Sequence, residues 1–551
     1  MTKTNAATKL LAAVLVMMLA LCACNSGEGT TSEDPSSEPG AVSSQAGTAD
    51  SSSEEATQSS DNGNTEASSS APVQKPTSSQ SAKPTGGAYD KALEELISSA
   101  GKKNVLISFE PGNYELKESH TIPANITLGM ARGAYFTVAS GKTLTIKGAV
   151  QADPHHIFRG AGKIAGPIKG DSFVQWFGTD SISGDQSEAI QKAINACEVV
   201  VMPYRAVGYK ISHLEINKPT VLRGVGASQV LIMPTGTNEK LIEIASSNVT
   251  VRDMNISGSE GAVTKKAAIY INTAKGSFEN ILLDNLSIVR YGYGVRDAGS
   301  SGTIKNLDMR NILVDANCNT GVWLTDATTG IDLRDVAMNS FAGPICKGFV
   351  FENVKEMYLE NCDVNGGGAK TGGTYGDGMT FINCQNVTAY RIMIDYTTGK
   401  LMIIKNSKKF HFSGVVTSLQ AYGEGFYMEN VTDSVFDVCK ANGDIYDTTG
   451  YTVLYMKNCD NNIINNFIAE RSKGHSIELI DCKNNTLNNI GVNSGVGAAL
   501  RIISGSGNVV NGLNCEGNSA GIRIEGTNNV VYNYTSDRVE TKDKVTSGYV
   551  D

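Results

Sequence analysis

Two carboxylates stand in matching surroundings. Asp377 lies in "TYGDGMTF" (residues 374–381) and Glu424 in "AYGEGFYM" (residues 421–428), each between two glycines and after a tyrosine. A pair of acids is what glycosidic bond cleavage needs, one to give a proton to the leaving oxygen and one to activate water or attack carbon. Thr380 and Tyr427 lie three residues beyond them, and strands of similar pattern carry Trp323, Tyr455, Glu478, Arg501 and Arg523, residue types suited to holding a sugar. Aromatic faces stack on sugar CH surfaces, while carboxylates and guanidiniums fix hydroxyl and acid groups.

These side chains meet only if a regular scaffold brings them together, and the sequence carries one. From Val249 onward it returns to the frame apolar-x-apolar-x-Asn/Asp/Gly-apolar-x-apolar, as in "VTVRDMNI", "ILLDNLSI", "LDMRNILV" and "NTLNNIGV", in twelve copies spaced roughly 24 residues apart. The period of two is that of a strand. A one-residue break in it falls at Asp253, Asn285, Asn311, Asp335, Asn361, Asn466, Asn489 and Asn533, residue types that tolerate left-handed backbone. A loop and a second strand of the "GVWLTD" or "GFYMEN" type follow each copy. Three short strands per turn with one tight Asn corner predict an all-β fold. It is a single right-handed parallel β-helix of about 12 coils behind short N-terminal capping helices.

On this register Lys347, Asp377, Lys400, Glu424, Thr452 and His475 occupy one position on successive coils. Two coils would set the backbones of Asp377 and Glu424 about 9–10 Å apart, close to the roughly 6.5–9.5 Å carboxyl separation of inverting glycosidases. The alternation of sign along the same column also makes an ion-pair ladder. Lys400 between the acids would keep both ionised, whereas a general acid needs its pKa raised.

The eleven cysteines follow the coils as well. Cys384, Cys459 and Cys482 share one coil position and Cys362 and Cys439 another, which predicts stacked free thiols acting as core hydrophobes. No Cys-x-x-Cys or Cys/His cluster marks a metal site, and calcium, though compatible with an acidic surface, has no motif. A net charge of -9 argues against nucleic acid as a partner.

The chain opens with "MTKTNAATKLLAAVLVMMLALCAC", a secretory signal over residues 1–23. Its end, Leu21-Cys22-Ala23-Cys24, resembles a bacterial lipobox. That resemblance implies cleavage before Cys24, diacylation of its thiol and a lipid anchor on the extracellular face of the cell membrane. Residues 24–87 are rich in Ser and Glu and read as a disordered linker, unable to bury enough apolar surface to order itself. Residues 88–175 form an N-terminal helix/β module, 176–540 the β-helix and 541–551 a tail. "YDKALEELISS" and "GDQSEAIQKAINAC" predict the two capping helices, the second with Asp185 and Glu188 as a capping box.

"WFGTDSISGDQSEAIQKAINAC", followed by a Pro…Gly-Tyr strand and "LRGVG", resembles the start of the pectate lyase-like superfamily, which includes polygalacturonases, rhamnogalacturonases and phage tailspikes. "TIPANITL…VASGKTLTIKGAVQADPHHIFRGAGKIAG" is similar to the module ahead of the helix in tailspike-like proteins. The resemblance implies a polysaccharide partner and a groove lined by the strands of the "GVWLTD" type. The motifs of polygalacturonases do not carry over: this chain offers only Gly474-His475-Ser476 and the echoes Arg501-Ile502 and Arg523-Ile524. "DPHH" at 153–156 is similar to a motif of mannuronate epimerases but lies in the N-terminal module.

Two functions follow as expectations. One is a surface-anchored polysaccharide lyase or glycoside hydrolase, with Asp377 and Glu424 as the catalytic pair. Trp323, Lys400, Tyr427, Tyr455, His475, Glu478 and Arg501 would then bind substrate. The alternative is a non-catalytic adhesin that binds glycan or protein.

Overall fold

The computed structural model describes residues 75–541, apart from 180–183, 237, 259–265, 300–301, 316–317, 327, 340–346, 367–375, 419–422, 444–449, 516–520 and 537–538. The signal segment, Cys24 and most of the linker lie outside the described residues. Within them the strands pair in parallel, each with its counterpart one turn on, so that apolar side chains at alternate positions fill a single continuous interior. The chain is a parallel β-helix of about 17 turns.

That count exceeds the expected 12, because winding starts well before residue 176. The module at 88–175, together with the strand Ser78–Ala82, is itself coiled, with three small parallel sheets of four, three and three strands. Its turns rely on glycines in left-handed conformation, such as Gly112, Gly133 and Gly141, so they lack the Asn frame that marks later coils. Order also begins inside the predicted linker. β1 (Ser78–Ala82) pairs in register with β2 (Val105–Phe109), and of its side chains only Ala82 is buried. A polar strand is stable there because a sheet edge supplies its backbone hydrogen bonds.

Two helices lie at the N-terminal end. α1 (Asp90–Ala100) turns Leu93, Leu96 and Ile97 onto the core, and α2 (Ser187–Ala196) buries Ile190, Ala193 and Ile194. The capping box does not close: Asp185 accepts the Ser187 N–H at 2.8 Å, while Glu188 pairs with Lys192 at 2.7 Å.

Every Asn or Asp corner named from the sequence has positive φ, between 50° and 62°. Asparagine also does something the sequence reading did not foresee. Asn462, Asn485, Asn508 and Asn529 stack inside the last coils, all buried. The Nδ2 of Asn462, Asn485 and Asn508 donates to the next Oδ1 at 2.9 Å, and each of the four Oδ1 atoms also accepts a backbone N–H of the coil before. The signal was present as a doublet, since the residue ahead of each is Asn or Gly in left-handed conformation.

The eight described cysteines are buried free thiols, and among them Cys384, Cys459 and Cys482 fall in one column and Cys362 and Cys439 in another, as expected. Burial pushes the thiols of Cys362, Cys384 and Cys439 up to about 12, so they pack as hydrophobes.

One surface carboxylate is set against the fold. Burial, then the neighbouring Asp335, pushes Asp363 up to about 6 from 3.8. The folded protein therefore holds this proton more tightly than the unfolded chain, and stability falls as pH rises from 3.8 through 6. Asp363→Asn is expected to stabilise the protein by about 1–2 kcal/mol at pH 8 and by almost nothing at pH 3.5. Equal melting temperatures for variant and wild type at pH 8 would refute this.

Candidate functional site

The second strand of each coil stacks on the next to form a front sheet with two outward columns. In the first, the pairings Thr320 with Lys347 and Lys347 with Asp377 continue through Lys400, Glu424, Thr452 and His475. In the second, three residues on, Glu243, Tyr270, Arg296, Trp323, Val350 and Thr380 lead through Ile403 to Tyr427, Tyr455, Glu478, Arg501 and Arg523.

Two columns three apart can both face outward because a residue between them turns in, and in several coils it is glycine. A Cβ on Gly348 would lie 2.4 Å from the Gly378 carbonyl oxygen, and one on Gly378 only 2.3 Å from that of Leu401. Neither Gly378 nor Gly425 has positive φ. These glycines thus allow adjacent coils to touch, rather than allowing the backbone to turn.

Asp377 and Glu424 fall two coils apart as the register required, with Lys400 between. The Asp377 side chain is 22% exposed and lies 3.8 Å from the Lys347 Nζ; its Oδ1 accepts the Lys400 N–H at 3.2 Å. Glu424, 15% exposed, forms an ion pair with the Lys400 Nζ. The ion-pair ladder exists, but it does not hold Asp377 in the ordinary carboxylate range. Burial outweighs the two lysines, and the charge of Glu424 adds to it, so the pKa is raised.

The second column is not open along its length. Val350, Thr380 and Ile403 point outward by register and are nevertheless buried, which removes Thr380 from any sugar-facing surface. Beyond them the rings of Tyr427 and Tyr455 stack at 5.1 Å, only 15° from parallel. The ammonium groups of Lys400 and Lys405 sit 3.8 and 4.9 Å from the Tyr427 ring centre. Tyr427 donates its hydroxyl to Glu429 at 3.1 Å, and burial raises the pKa of both tyrosines.

The column continues with Glu478, which pairs with Arg501 Nη1 at 2.8 Å. That guanidinium also approaches His475 Nε2 at 3.3 Å, while His475 Nδ1 accepts the Ala498 N–H at 3.1 Å. Burial, with Arg501 and Arg523 nearby, holds the His475 pKa below the usual value despite Glu478. His475 is therefore a fixed neutral ring at neutral pH rather than an imidazolium.

Lys400, Tyr427, Tyr455, His475 and Arg501 thus lie on one surface, beside Asp377 and Glu424, with Glu478 buried against Arg501. Trp323 lies on the far side of the covered stretch, next to Tyr270, Tyr293 and Arg296. The sequence reading passed over these three although "AIYIN" and "YGVRDA" follow the same strand frame. A separate surface hollow of about 370 Å³, lined by Lys83, Tyr89, Glu95 and Leu96 among others, contains none of the predicted site residues. Among the described residues no His, Cys, Asp or Glu cluster could hold a metal ion, and no helix is long and apolar enough to cross a membrane.

With this geometry in hand, comparison adds little beyond architecture. By fold the chain is one of the parallel β-helix proteins. No family model and no curated protein matches it. Among solved structures it is similar to the Dettilon tailspike protein, with 11% identity over 64% of this chain and 68% of that one and a TM-score of 0.42. The catalytic domain of a GH87 alpha-1,3-glucanase in complex with tetrasaccharides is similar at 14% identity, over 67% of each chain, with a TM-score of 0.31. The A-module of the mannuronan C-5 epimerase AlgE6 of Azotobacter vinelandii is similar at 14% identity, over 67% of this chain and all (100%) of that one, with a TM-score of 0.34. No residue role is carried over from them.

Proposed function

We propose that the front sheet binds a polysaccharide chain over its C-terminal half. The observation that supports this is the stacked Tyr427–Tyr455 pair, which adjoins Lys400 on one side and the Glu478–Arg501–His475 cluster on the other. Such a surface offers a ring face to a sugar and a hydrogen-bonding group at each end, with the side chains already fixed by one another. Tyr455→Ala is expected to weaken retention on the polysaccharide that wild type binds best by at least about tenfold, read by affinity electrophoresis. Equal retention would remove this surface from the reading.

A hydrolytic role for the same surface is favoured by one observation, the raised pKa of Asp377. Asp377 would pass a proton to a leaving oxygen while Glu424, paired with Lys400, activates water. Asp377→Asn with Glu424→Gln should then reduce reducing-end release from a polysaccharide panel by at least about a hundredfold while binding persists. An active wild type matched by the double variant would exclude this pair as the acid and base.

The lipobox-like Leu21–Cys24 supports a lipid anchor outside the cell. Cys24→Ala is expected to shift the protein from the detergent phase to the aqueous phase on phase partition; unchanged partition would count against the anchor.

A further inference from the structure

The N-terminal half of the front sheet holds a cation that its neighbours do not neutralise. The Arg296 guanidinium lies 4.5 Å from the centre of the Tyr293 ring and 5.8 Å from that of Tyr270. Its Nε donates to the Asp297 carbonyl at 3.2 Å, which fixes the side chain and leaves both Nη groups for other partners. Trp323, one coil on in the same column, packs edge-on against Tyr293 at 5.6 Å.

Four other arginines of the coils are paired: Arg501 with Glu478, Arg523 with Glu525, Arg310 with Asp308 and Arg334 with Asp332. Among the described residues no carboxylate lies within ion-pair distance of Arg296. The nearest in sequence, Asp297, is buried and turned inward, where it accepts the backbone N–H groups of Thr325 and Asp326 at 2.6 and 2.8 Å. A half-buried guanidinium held by aromatic rings, without a counter-charge, is a place for an anion. The adjoining indole makes it a place for an anion carried on an apolar ring face.

We propose that Arg296, Tyr270 and Trp323 form a second, separate subsite for an anionic sugar, a pyranose that carries a carboxylate or a sulfate. The buried stretch at Val350, Thr380 and Ile403 divides it from the Tyr427–Tyr455 surface. It does not rest on the function proposed for that surface.

The chain has its own reporter. Of its two tryptophans, Trp176 is buried and donates its indole N–H to the Asp153 carbonyl, so a ligand-dependent change in emission reports Trp323. The full chain is titrated with oligogalacturonate, with a sulfated dextran oligosaccharide and with the neutral dextran oligosaccharide. At least one anionic probe should change the emission at a concentration at least tenfold lower than the neutral one. Arg296→Gln should weaken that response at least tenfold, and Trp323→Phe should abolish it. Arg296→Lys, which keeps charge without the planar fork, should bind between wild type and Arg296→Gln. Equal response to the neutral probe, wild-type affinity in Arg296→Gln, or no emission change with any of the three would overturn the proposal.

Discussion

Asn485→Ala is expected to cost about 3–5 kcal/mol of folding stability, although Asn485 touches no candidate site residue. Its Oδ1 accepts the backbone N–H of Asn462 at 3.0 Å and the Asn462 Nδ2 at 2.9 Å. Its own Nδ2 donates to the Cys459 carbonyl at 2.7 Å and to the Asn508 Oδ1 at 2.9 Å. Truncation strands the buried Asn462 N–H and one Asn462 amide hydrogen, and takes from the Cys459 carbonyl one of its two donors, the Lys483 N–H at 3.1 Å remaining. Each stranded group costs about 1–3 kcal/mol when its partner is removed. Asn485→Asp separates hydrogen bonding from shape: it keeps the acceptor, loses the donors and buries a charge, so its deficit should shrink at low pH as the acid protonates. Urea unfolding of both variants reads the effect, and a loss below about 1 kcal/mol for Asn485→Ala would show that the stacked amides are not cooperative.

The second large effect is expected at Gly378, one residue beyond Asp377. An added Cβ would stand 2.3 Å from the Leu401 carbonyl oxygen and 2.5 Å from Ile394 Cγ2. Backbone on one side and a packed core side chain on the other cannot both yield, so Gly378→Ala should cost about 2–3 kcal/mol, the usual range for overpacking. The strain falls directly beneath Asp377 and Lys400, so binding by the front sheet should weaken with stability. A Gly378→Ala protein with wild-type melting temperature would mean that neighbouring coils can separate at no cost.

These two residues also show what the sequence discloses. The coil was legible because a parallel β-helix repeats its local physics every turn. A corner that needs left-handed backbone selects Asn or Asp each time, and an inward position selects the same small thiol at Cys459 and Cys482. The column of Lys347, Asp377, Lys400, Glu424 and His475 could be counted for the same reason. Residues 78–175 were harder to read because their turns use glycine, leaving no frame to count. Ladder asparagines were hidden by their neighbours: in Asn461-Asn462 and Asn484-Asn485 the first residue makes the corner and the second goes inside, and pattern alone does not distinguish them. Burial of Thr380 and Ile403 was equally unreadable, since register says which way a side chain points and not what lies over it. The raised pKa of Asp377 has the same origin, because burial rather than the adjacent charges decides it.

The asparagine ladder has a consequence for how such a molecule can change length over evolutionary time. Asn462, Asn485 and Asn508 each give one amide hydrogen to the Oδ1 of the next rung and the other to a carbonyl of the coil before, so the run of side-chain amides has a direction and unlike ends. Removing or duplicating one complete turn leaves each remaining rung with a donor behind it and an acceptor ahead. A fractional turn would put a core residue or a corner in the rung position and strand both neighbours. Growth by whole turns is therefore the tolerated route, and each turn gained or lost between Trp323 and Tyr427 would move the two halves of the front sheet by one strand spacing, about 4.8 Å.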